Sequence, residues 1–448
     1  MGEPRQPAMS ESAMASNLID ELGRRAGEPA WLTGLRRAAW ERHAALPWPH
    51  ASDDVWRRTD ATLLDPAQGF APAQPSSRAD VPHAARGVVA PLGDEELLVR
   101  VNGAWAARPS GAGGLVVEEL TQAAQRQPDP IRQAIEADGL TPAEQKLASL
   151  NLAFHQDDLV VRVPPGWSGQ RPCRLLRLYT PSAREALYPL TLVFVGAGSS
   201  ATLIDEAISL DPAGDGAHLI NSRIELVLEP GATLHYVRLQ RWGAQAREFL
   251  LQRAALGRDA HLTMANINLG AQLSKAHVVT RLAGEQASAR LYGFVFGHGQ
   301  QHIDQHTLQD HQAPHTVSDL QFRAALQDRS RMVYTGLIRI AKAAAQTNAY
   351  QSNHNLLLSR TAKAETIPML EILADDVQCK HGASVGPIDE EQAFYLMSRG
   401  VPRPAAERLI VMGFIEPIVQ QVPFAPLQQR LREELEGGLN QVSGTKSV

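Results

Sequence analysis

Cysteine and aromatic residues are scarce in this chain of 448 residues. Only Cys173 and Cys379 are present, so no disulfide framework is expected. Phe, Trp and Tyr make up 5% of the residues while hydrophobic residues make up 44%, so a large core must be mainly aliphatic. The longest aliphatic run, residues 409–419, contains Glu416 and Pro417 and falls well short of the roughly 20 apolar residues that span a bilayer.

An excess of positive charge is also missing. The formal net charge is −5 and the sequence pI is about 6.3, and the arginines are scattered among acidic residues. A basic patch for nucleic acid is therefore not expected. The first ten residues, MGEPRQPAMS, lack the basic-then-apolar order of a secretory signal. We expect a soluble, cytoplasmic protein that binds neither nucleic acid nor membranes.

The first third of the chain has helical periodicity. Apolar residues recur at three- and four-residue spacing in residues 14–26, 31–46 and 141–154. The last of these segments opens with Thr-Pro-Ala-Glu, which has the form of a capping box with proline at the first helical position. We expect residues 1–155 to form a mostly helical N-terminal domain with loops.

From about residue 157 the hydrophobic period changes from 3.6 to 2. Short alternating runs such as LVVRV, LTLVFV and RIELVL follow one another with almost no helical pattern between them. An Ala-x-Leu motif follows turn residues and recurs at intervals of 31, 28 and 29 residues, beginning at Ala201, Ala232, Ala260 and Ala289. This recurrence favours stacked coils of a β-solenoid over residues 156–386. An antiparallel sandwich also gives regular turn signals and remains an alternative.

Helical periodicity returns after Gly386. Asp389 is placed to cap a helix with Gln392 three residues later, and further helices are expected at residues 404–414 and 427–435. We expect residues 387–448 to form a small C-terminal helical domain, no more than an appendage to the solenoid. The predicted fold class is therefore mainly β with helical ends.

A G-x-S-x-G motif at residues 382–386 raises the possibility of a serine hydrolase. In an α/β-hydrolase the acid and the histidine of the triad follow the serine, but no histidine follows Ser384. The alternation of strands and helices that this fold requires is also missing. We interpret the motif as a glycine-rich turn after a strand. No phosphate-binding P-loop motif occurs in the chain.

Cys379 and His381 form a second candidate site. On a strand, residues i and i+2 project from the same face, so the thiol and the imidazole would lie side by side. Both groups are ligands for Fe, Zn or Cu(I). Two ligands do not complete a tetrahedral site, so further ligands would have to come from elsewhere or from another chain. The alternative is that Cys379, like Cys173, is a small buried hydrophobic residue.

Five histidines lie within a short segment that invites interpretation as a metal site. Their spacing of four or five residues would suit a helix, but the surrounding sequence is typical of strand and turn, where they would be scattered over both faces. We therefore favour a structural role over a stand-alone metal-binding protein. The histidines are His298, His302, His306, His311 and His315.

Residues 345–401 carry the most specific pattern of the chain, and residues 302–326, 333–349 and 35–60 add further matches. Together these segments, which span nearly the whole chain, resemble the SufB/SufD family of iron–sulfur cluster assembly proteins. The form P-x-L-E-I-x-A-D-D-V-x-C-x-H-G and the segment FYLMSRG are similar to the SufD branch. A SufB-like chain would be richer in cysteine.

The resemblance implies a right-handed parallel β-helix between two helical domains. It also implies a non-enzymatic subunit that pairs with a SufB-like paralogue, docks a SufC-like ABC-type ATPase and contributes to iron delivery. Cys379 and His381 would bind iron or an Fe–S cluster transiently in a site shared with the paralogue, with no tightly bound cofactor. The segment that docks the ATPase would include Phe394, Tyr395, Arg399 and Gly400. A β-helix carbohydrate-active enzyme is the alternative from another class of function.

Overall fold

The structure is a computed structural model that describes residues 11–74, 79–108, 114–136, 139–210 and 216–443. The helices are α1 (Glu11–Ala26), α2 (Ala30–Ala45), α3 (Leu120–Arg126), α4 (Pro128–Glu136), α5 (Pro142–Phe154), α6 (Glu390–Ser398), α7 (Arg403–Val419) and α8 (Ala425–Ser443). The strands of the N-terminal part are β1 (Ala71–Pro72), β2 (Glu96–Val101), β3 (Ala104–Ala107), β4 (Val116–Glu119), β5 (Leu159–Val163), β6 (Cys173–Tyr179) and β7 (Glu185–Leu187).

The remaining strands follow one another, with no helix among the described residues between them. They are β8 (Leu190–Val195), β9 (Ser200–Ser209), β10 (His218–Leu228), β11 (Thr233–Arg241), β12 (Ala246–Leu256), β13 (His261–Asn268), β14 (Leu273–Leu282), β15 (Ser288–Gly297), β16 (His302–His311), β17 (Val317–Leu326), β18 (Arg331–Ile340), β19 (Thr347–Leu357), β20 (Lys363–Ile372) and β21 (Val377–Pro387).

From β8 onward the strands alternate between two sheets, which makes the fold a parallel β-solenoid. Sheet A contains the even-numbered strands in the order β20-β18-β16-β14-β12-β10-β8, and sheet B contains the odd-numbered strands from β21 to β9. Each strand pairs in parallel with the strand two positions away in the sequence. About seven coils are stacked in this way. The predicted solenoid with helical ends is confirmed, and parallel pairing excludes the antiparallel sandwich for these strands.

The Ala-x-Leu repeat identified the coils but matched their register only in part. Leu234 pairs with Leu262, as the repeat predicts. Ala201, however, pairs with Leu234, and Ala289 pairs with Leu262, so two of the motifs are displaced by two residues. A shift of two keeps the same side chains on the inward face. All of these alanines and leucines therefore remain in the aliphatic core between the sheets.

The outer face of each sheet is covered by helices, which is why many strands are buried on both faces. Helices α2 and α5 pack over sheet A, with Leu150 and Leu152 against Leu190 and Leu192. The Thr141–Glu144 capping box at the start of α5 is present as predicted, with each side chain bonded to the other residue's backbone N–H.

The C-terminal helices pack over sheet B. Ile415 of α7 and Leu427 and Leu431 of α8 are buried against Val237, Leu239 and Phe294. The expectation of a mere appendage was therefore wrong. Helices α7 and α8 are also longer than predicted, because their apolar residues continue to contact the sheet beyond Phe414 and Leu435.

The last coil leaves the C-terminal end of the solenoid open. Strands β20 and β21 are the terminal strands of the two sheets, and most of their side chains are half-buried or exposed. Large apolar side chains are exposed here, namely Met369, Leu370, Ile372, Leu373 and Val385. Strand edges have unpaired backbone groups, and exposed apolar side chains are in contact with water. Surfaces with both features tend to associate with other chains.

None of the described helices is long and apolar enough to cross a membrane.

Candidate metal site at the open end of the solenoid

Cys379 and His381 lie on the inward face of β21, in the last coil. Cys379 pairs with Ala349 and His381 pairs with Gln351, both in β19. Ala349 and Gln351 are each 1% exposed and point into the solenoid. Because neighbouring parallel strands align the same faces, the thiol and the imidazole project to the same side, above these two buried residues.

The thiol of Cys379 lies in an apolar environment. It is half-buried and packs against the small cluster that contains Ile338, Ile340 and Ala374. Burial raises the pKa of this thiol above its ordinary value. The thiol is therefore protonated at neutral pH, and a metal that binds it must displace the proton.

The chain supplies only part of a metal site. On the opposite sheet of the last coil, the inward positions of β20 include Thr366, Pro368 and Leu370, which are not strong metal ligands. Within the described ranges, no group of three or more His, Cys, Asp or Glu side chains is arranged to hold a metal. Asp375 and Asp376, just before β21, are exposed. The described residues therefore do not complete a site with the usual four ligands around Cys379 and His381.

Ser384 lies within β21, so the interpretation of its motif as a turn was wrong. Parallel pairing with β19 keeps residues 382–386 extended despite their two glycines. Ser384 Oγ lies 2.7 Å from Nδ1 of His354, the residue opposite it in β19. Burial and the nearby Arg323 lower the pKa of His354.

This serine–histidine pair does not form a catalytic triad. None of the contacts found for His354 in the described part of the chain is with a carboxylate. Because a triad of this kind was expected to have its histidine after Ser384, the sequence did not indicate this pair, in which His354 precedes Ser384 in the chain. A spacing of one coil length was the only signal that could have indicated it.

The five histidines are dispersed, in agreement with the predicted strand and turn. His302, His306 and His311 lie on β16, and His298 and His315 lie in turns. His302 and His306 share the outward face, whereas His311 points the other way and bonds Thr316 and Ser318.

His302 contacts the N-terminal segment, whereas His306 contacts a neighbour on its own strand. Nε2 of His302 lies 2.8 Å from the hydroxyl of Thr59, and Nε2 of His306 lies 3.3 Å from Oδ1 of Asp304. Burial lowers the pKa of His306 to about 4, even though Asp304 favours the protonated form. Both rings are half-buried in these contacts, which favours a structural role.

Helix α6 presents an aromatic surface next to the open coil. Asp389 caps the helix as predicted, accepting hydrogen bonds from the backbone N–H groups of Glu391 and Gln392. Phe394 and Tyr395 are 70% and 57% exposed. At the end of the helix the guanidinium of Arg399 lies over the ring of Tyr395, and Gly400 adopts φ of 86°.

Among the residues of α6 whose burial is described, only Ala393 is buried. Exposed aromatic side chains on such a helix are typical of a docking surface.

The sequence did not reveal the exposed apolar residues of the last coil. Leu370, Ile372 and Leu373 follow the same pattern as the buried leucines of earlier coils, because periodicity does not indicate which coil is the last. Only the stacking order distinguishes them.

The fold defines a class of protein, a parallel β-solenoid covered by helices, with Cys379 and His381 as candidate ligands at its open end. Residues 178–414 match the model of the family described as SUF system FeS cluster assembly, SufBD core domain. This match covers more than half of the chain, from β6 to α7. The chain belongs to the SufBD family of the SUF iron–sulfur cluster assembly system.

Similar proteins align over nearly their whole length. An iron–sulfur cluster assembly SufBD family protein of Synechocystis is 27% identical over 436 residues, covering 95% of this chain and 93% of the relative. The iron–sulfur cluster assembly protein SufB of Bacillus subtilis is 24% identical over 450 residues, covering 96% and 95%. A SufBD family protein of Staphylococcus epidermidis is 23% identical over 449 residues, again covering 96% and 95%.

Proposed function

We propose that this chain is a SufD-like, non-enzymatic subunit of a cytoplasmic SUF assembly complex. It pairs with a SufB-like paralogue through the open end of the solenoid and docks a SufC-like ABC-type ATPase through α6. Iron, as cargo rather than as a resident cofactor, binds transiently between Cys379, His381 and ligands of the paralogue. The chain has only two cysteines, which supports the SufD branch over the SufB branch.

The open C-terminal coil is the observation that carries the proposal. Two terminal strands of 10 and 11 residues lie beside exposed apolar side chains, and the two candidate ligands lie on the inward face of the same coil. A second solenoid that pairs with these strands would satisfy the unpaired backbone groups and bury the apolar residues. The same contact would bring further ligands to Cys379 and His381.

The aromatic surface of α6 supports the second contact. Because α6 follows β21 directly, a partner that moves this helix would also move the last coil. Closure of the ATPase on binding ATP would then shift the paired strands and open the site to iron.

Co-expression of the chain with its SufB-like paralogue and SufC-like ATPase tests the pairing. Leu373→Lys places a charge at a side chain that is 60% exposed in the open coil, so we expect the chain to fold but to lose the paralogue. Val317→Lys is the matched control, since Val317 is also exposed, at 44%, but lies on β17 away from the last coil. Equal recovery of the paralogue with both variants would contradict the proposed interface.

The docking role of α6 has a separate test. Phe394→Ala removes an aromatic side chain that contributes little to the fold, so we expect at least a tenfold loss of ATPase binding, equivalent to about 1.4 kcal/mol, with the paralogue still bound. Met397→Ala, on the same helix and 40% exposed, tests whether the effect is specific to the aromatic surface. Retention of the ATPase by the Phe394 variant at wild-type affinity would exclude α6 as its docking site.

The metal site is tested in the assembled complex. We expect Cys379→Ser and His381→Ala to leave the complex intact and to slow the appearance of the Fe–S absorption band during cluster assembly. Assembly at the wild-type rate with both variants would refute the role in iron delivery.

A further inference from the structure

Gln351 lies directly beneath His381 in the stack of coils. The two residues are register partners on β19 and β21, and both are on the inward face. Gln351 is 1% exposed, and its Nε2 donates a hydrogen bond of 3.1 Å to the carbonyl of Gly336 on the opposite sheet. Its Oε1 is buried and has no hydrogen-bond partner among the described residues.

The position of this amide depends on the glycine opposite it. A Cβ at Gly336 would lie 2.6 Å from Oε1 of Gln351, closer than such atoms approach. The missing side chain at Gly336 therefore leaves room for the amide, and the bond from Nε2 holds it there. The result is a fixed acceptor with an unused lone pair inside the solenoid.

A buried acceptor without a hydrogen-bond partner destabilises the fold, so a donor that reaches it is favoured. Adjacent strands are about 4.8 Å apart, so the side chains of Gln351 and His381 are stacked at this spacing. The exposed His381 side chain can rotate about its two single bonds, and a rotamer that directs a ring N–H towards Oε1 is required for the two groups to bond. Histidines that bind metals almost always donate their second ring N–H to an oxygen in this way.

We propose that Gln351 is a positioning residue that accepts a hydrogen bond from His381 when His381 binds the metal. This bond sets the tautomer, so that the other ring nitrogen keeps its lone pair and faces the interface with the paralogue. The inference rests on the proposed function, because it assumes that His381 is a metal ligand. Gln351 would thus support a metal ligand without contacting the metal, and both residues belong to this chain.

Titration of the intact complex with Co(II) tests this inference, because a cobalt–thiolate bond gives a near-ultraviolet charge-transfer band. Gln351→Met removes the acceptor at similar volume, and we expect a roughly 10- to 100-fold weaker Co(II) affinity and shifted ligand-field bands. Gln351→Glu keeps an acceptor oxygen but loses the hydrogen bond from Nε2 to Gly336, so we expect it to recover only part of the affinity. Gly336→Ala displaces the amide and should weaken Co(II) binding in the same direction.

Gln252→Met is the matched control. Gln252 is a fully buried interior glutamine of β12 that bonds Asn266, several coils from the site, so its loss reports only general destabilisation. Wild-type Co(II) binding by Gln351→Met, with binding lost in Cys379→Ser and His381→Ala, would overturn the inference and leave the metal site standing. Unchanged binding in Cys379→Ser and His381→Ala would instead refute the site itself.

Discussion

Buried charged side chains join the helices to the solenoid. Glu206 of β9 is fully buried and forms ion pairs with Arg174 of β6, Arg241 of β11 and Arg430 of α8. Burial opposes its ionisation, but the three arginines hold the pKa of Glu206 below its ordinary value. Each arginine also contacts a second carboxylate, Glu95 for Arg174 and Glu434 for Arg241 and Arg430, so the ion pairs form a connected network.

Glu144 is a second buried carboxylate with a measurable effect on stability. Its Oε1 lies 2.7 Å from Nδ1 of His277 on β14. Burial favours the neutral acid, but His277 and the donors of Thr141 outweigh it and lower the pKa of Glu144 from 4.5 to about 2. The unfolded chain therefore binds a proton near pH 4.5 while the folded chain stays ionised, so the stabilisation is present above pH 4.5 and is lost as the pH falls towards 2.

We predict that Glu144→Gln lowers the free energy of unfolding by about 3 kcal/mol at pH 7. The difference from wild type should shrink below pH 4.5, which urea unfolding at pH 7, 5 and 3.5 will measure. Glu41→Gln, at an exposed position of α2, is the control and should have little effect at any pH. A Glu144 difference that is independent of pH would contradict the lowered pKa of this carboxyl.

Of the two interactions of Glu144, the sequence predicted the capping box but not the contact with His277. The capping box of Thr141 and Glu144 is local, within one turn of helix, and was confirmed. His277, however, is 133 residues further along the chain, and no local pattern indicates that it contacts Glu144.

At the scale of elements, each sheet depends on the helices that cover it. Leu431 of α8 is 1% exposed and packs in the apolar cluster over sheet B. The covering layer makes the outward residues of sheet B part of a second core. Without it, the aliphatic outer face of the sheet would be exposed to water.

We predict that Leu431→Ala lowers the free energy of unfolding by about 2–5 kcal/mol, because it leaves a cavity between α8 and sheet B. Leu409→Ala on α7 is the control, since Leu409 is 54% exposed and should change stability by about 0.5 kcal/mol or less. Urea unfolding of both variants will measure the difference. Similar values for both would show that α8 is not bound to the solenoid in solution.

In one strand, pairing with a neighbour overrides the turn preference of its glycines. Alternating runs were correctly predicted as strands, but residues 382–386 were predicted as a turn because of their glycines. In the structure, hydrogen bonds to β19 hold this segment extended along the whole of β21. Pairing with β19, about 30 residues earlier in the chain, therefore determines the extended conformation of residues 382–386, which their own sequence does not indicate.

At the scale of the whole molecule, backbone amides in the middle of the stack are better protected from solvent than those at its C-terminal end. Strands β12 and β13 pair with a strand on each side, whereas β20 and β21 are terminal. In a terminal parallel strand about half of the backbone N–H groups point away from the sheet and are not bonded within it.

We predict that amides of β20 and β21 exchange with deuterium much faster than those of β12 and β13 in the isolated chain. Binding of the proposed SufB-like partner should slow exchange in β20 and β21 and leave β12 and β13 unchanged. Hydrogen-exchange mass spectrometry of the free chain and of the complex measures both effects. Equal protection of the four strands in the free chain would show that its open end is already covered.

Local patterns in the sequence determined the types of the elements, the coil length near 30 residues, the helix caps and the shared face of Cys379 and His381. These features depend on residues within one turn or one strand, so periodicity and short motifs reveal them. The tertiary structure alone decided the register of the coils, the open last coil, the helical covers and the position of Gln351 beneath His381. Those features depend on packing between residues about one coil or more apart, and that packing leaves no local pattern in the chain.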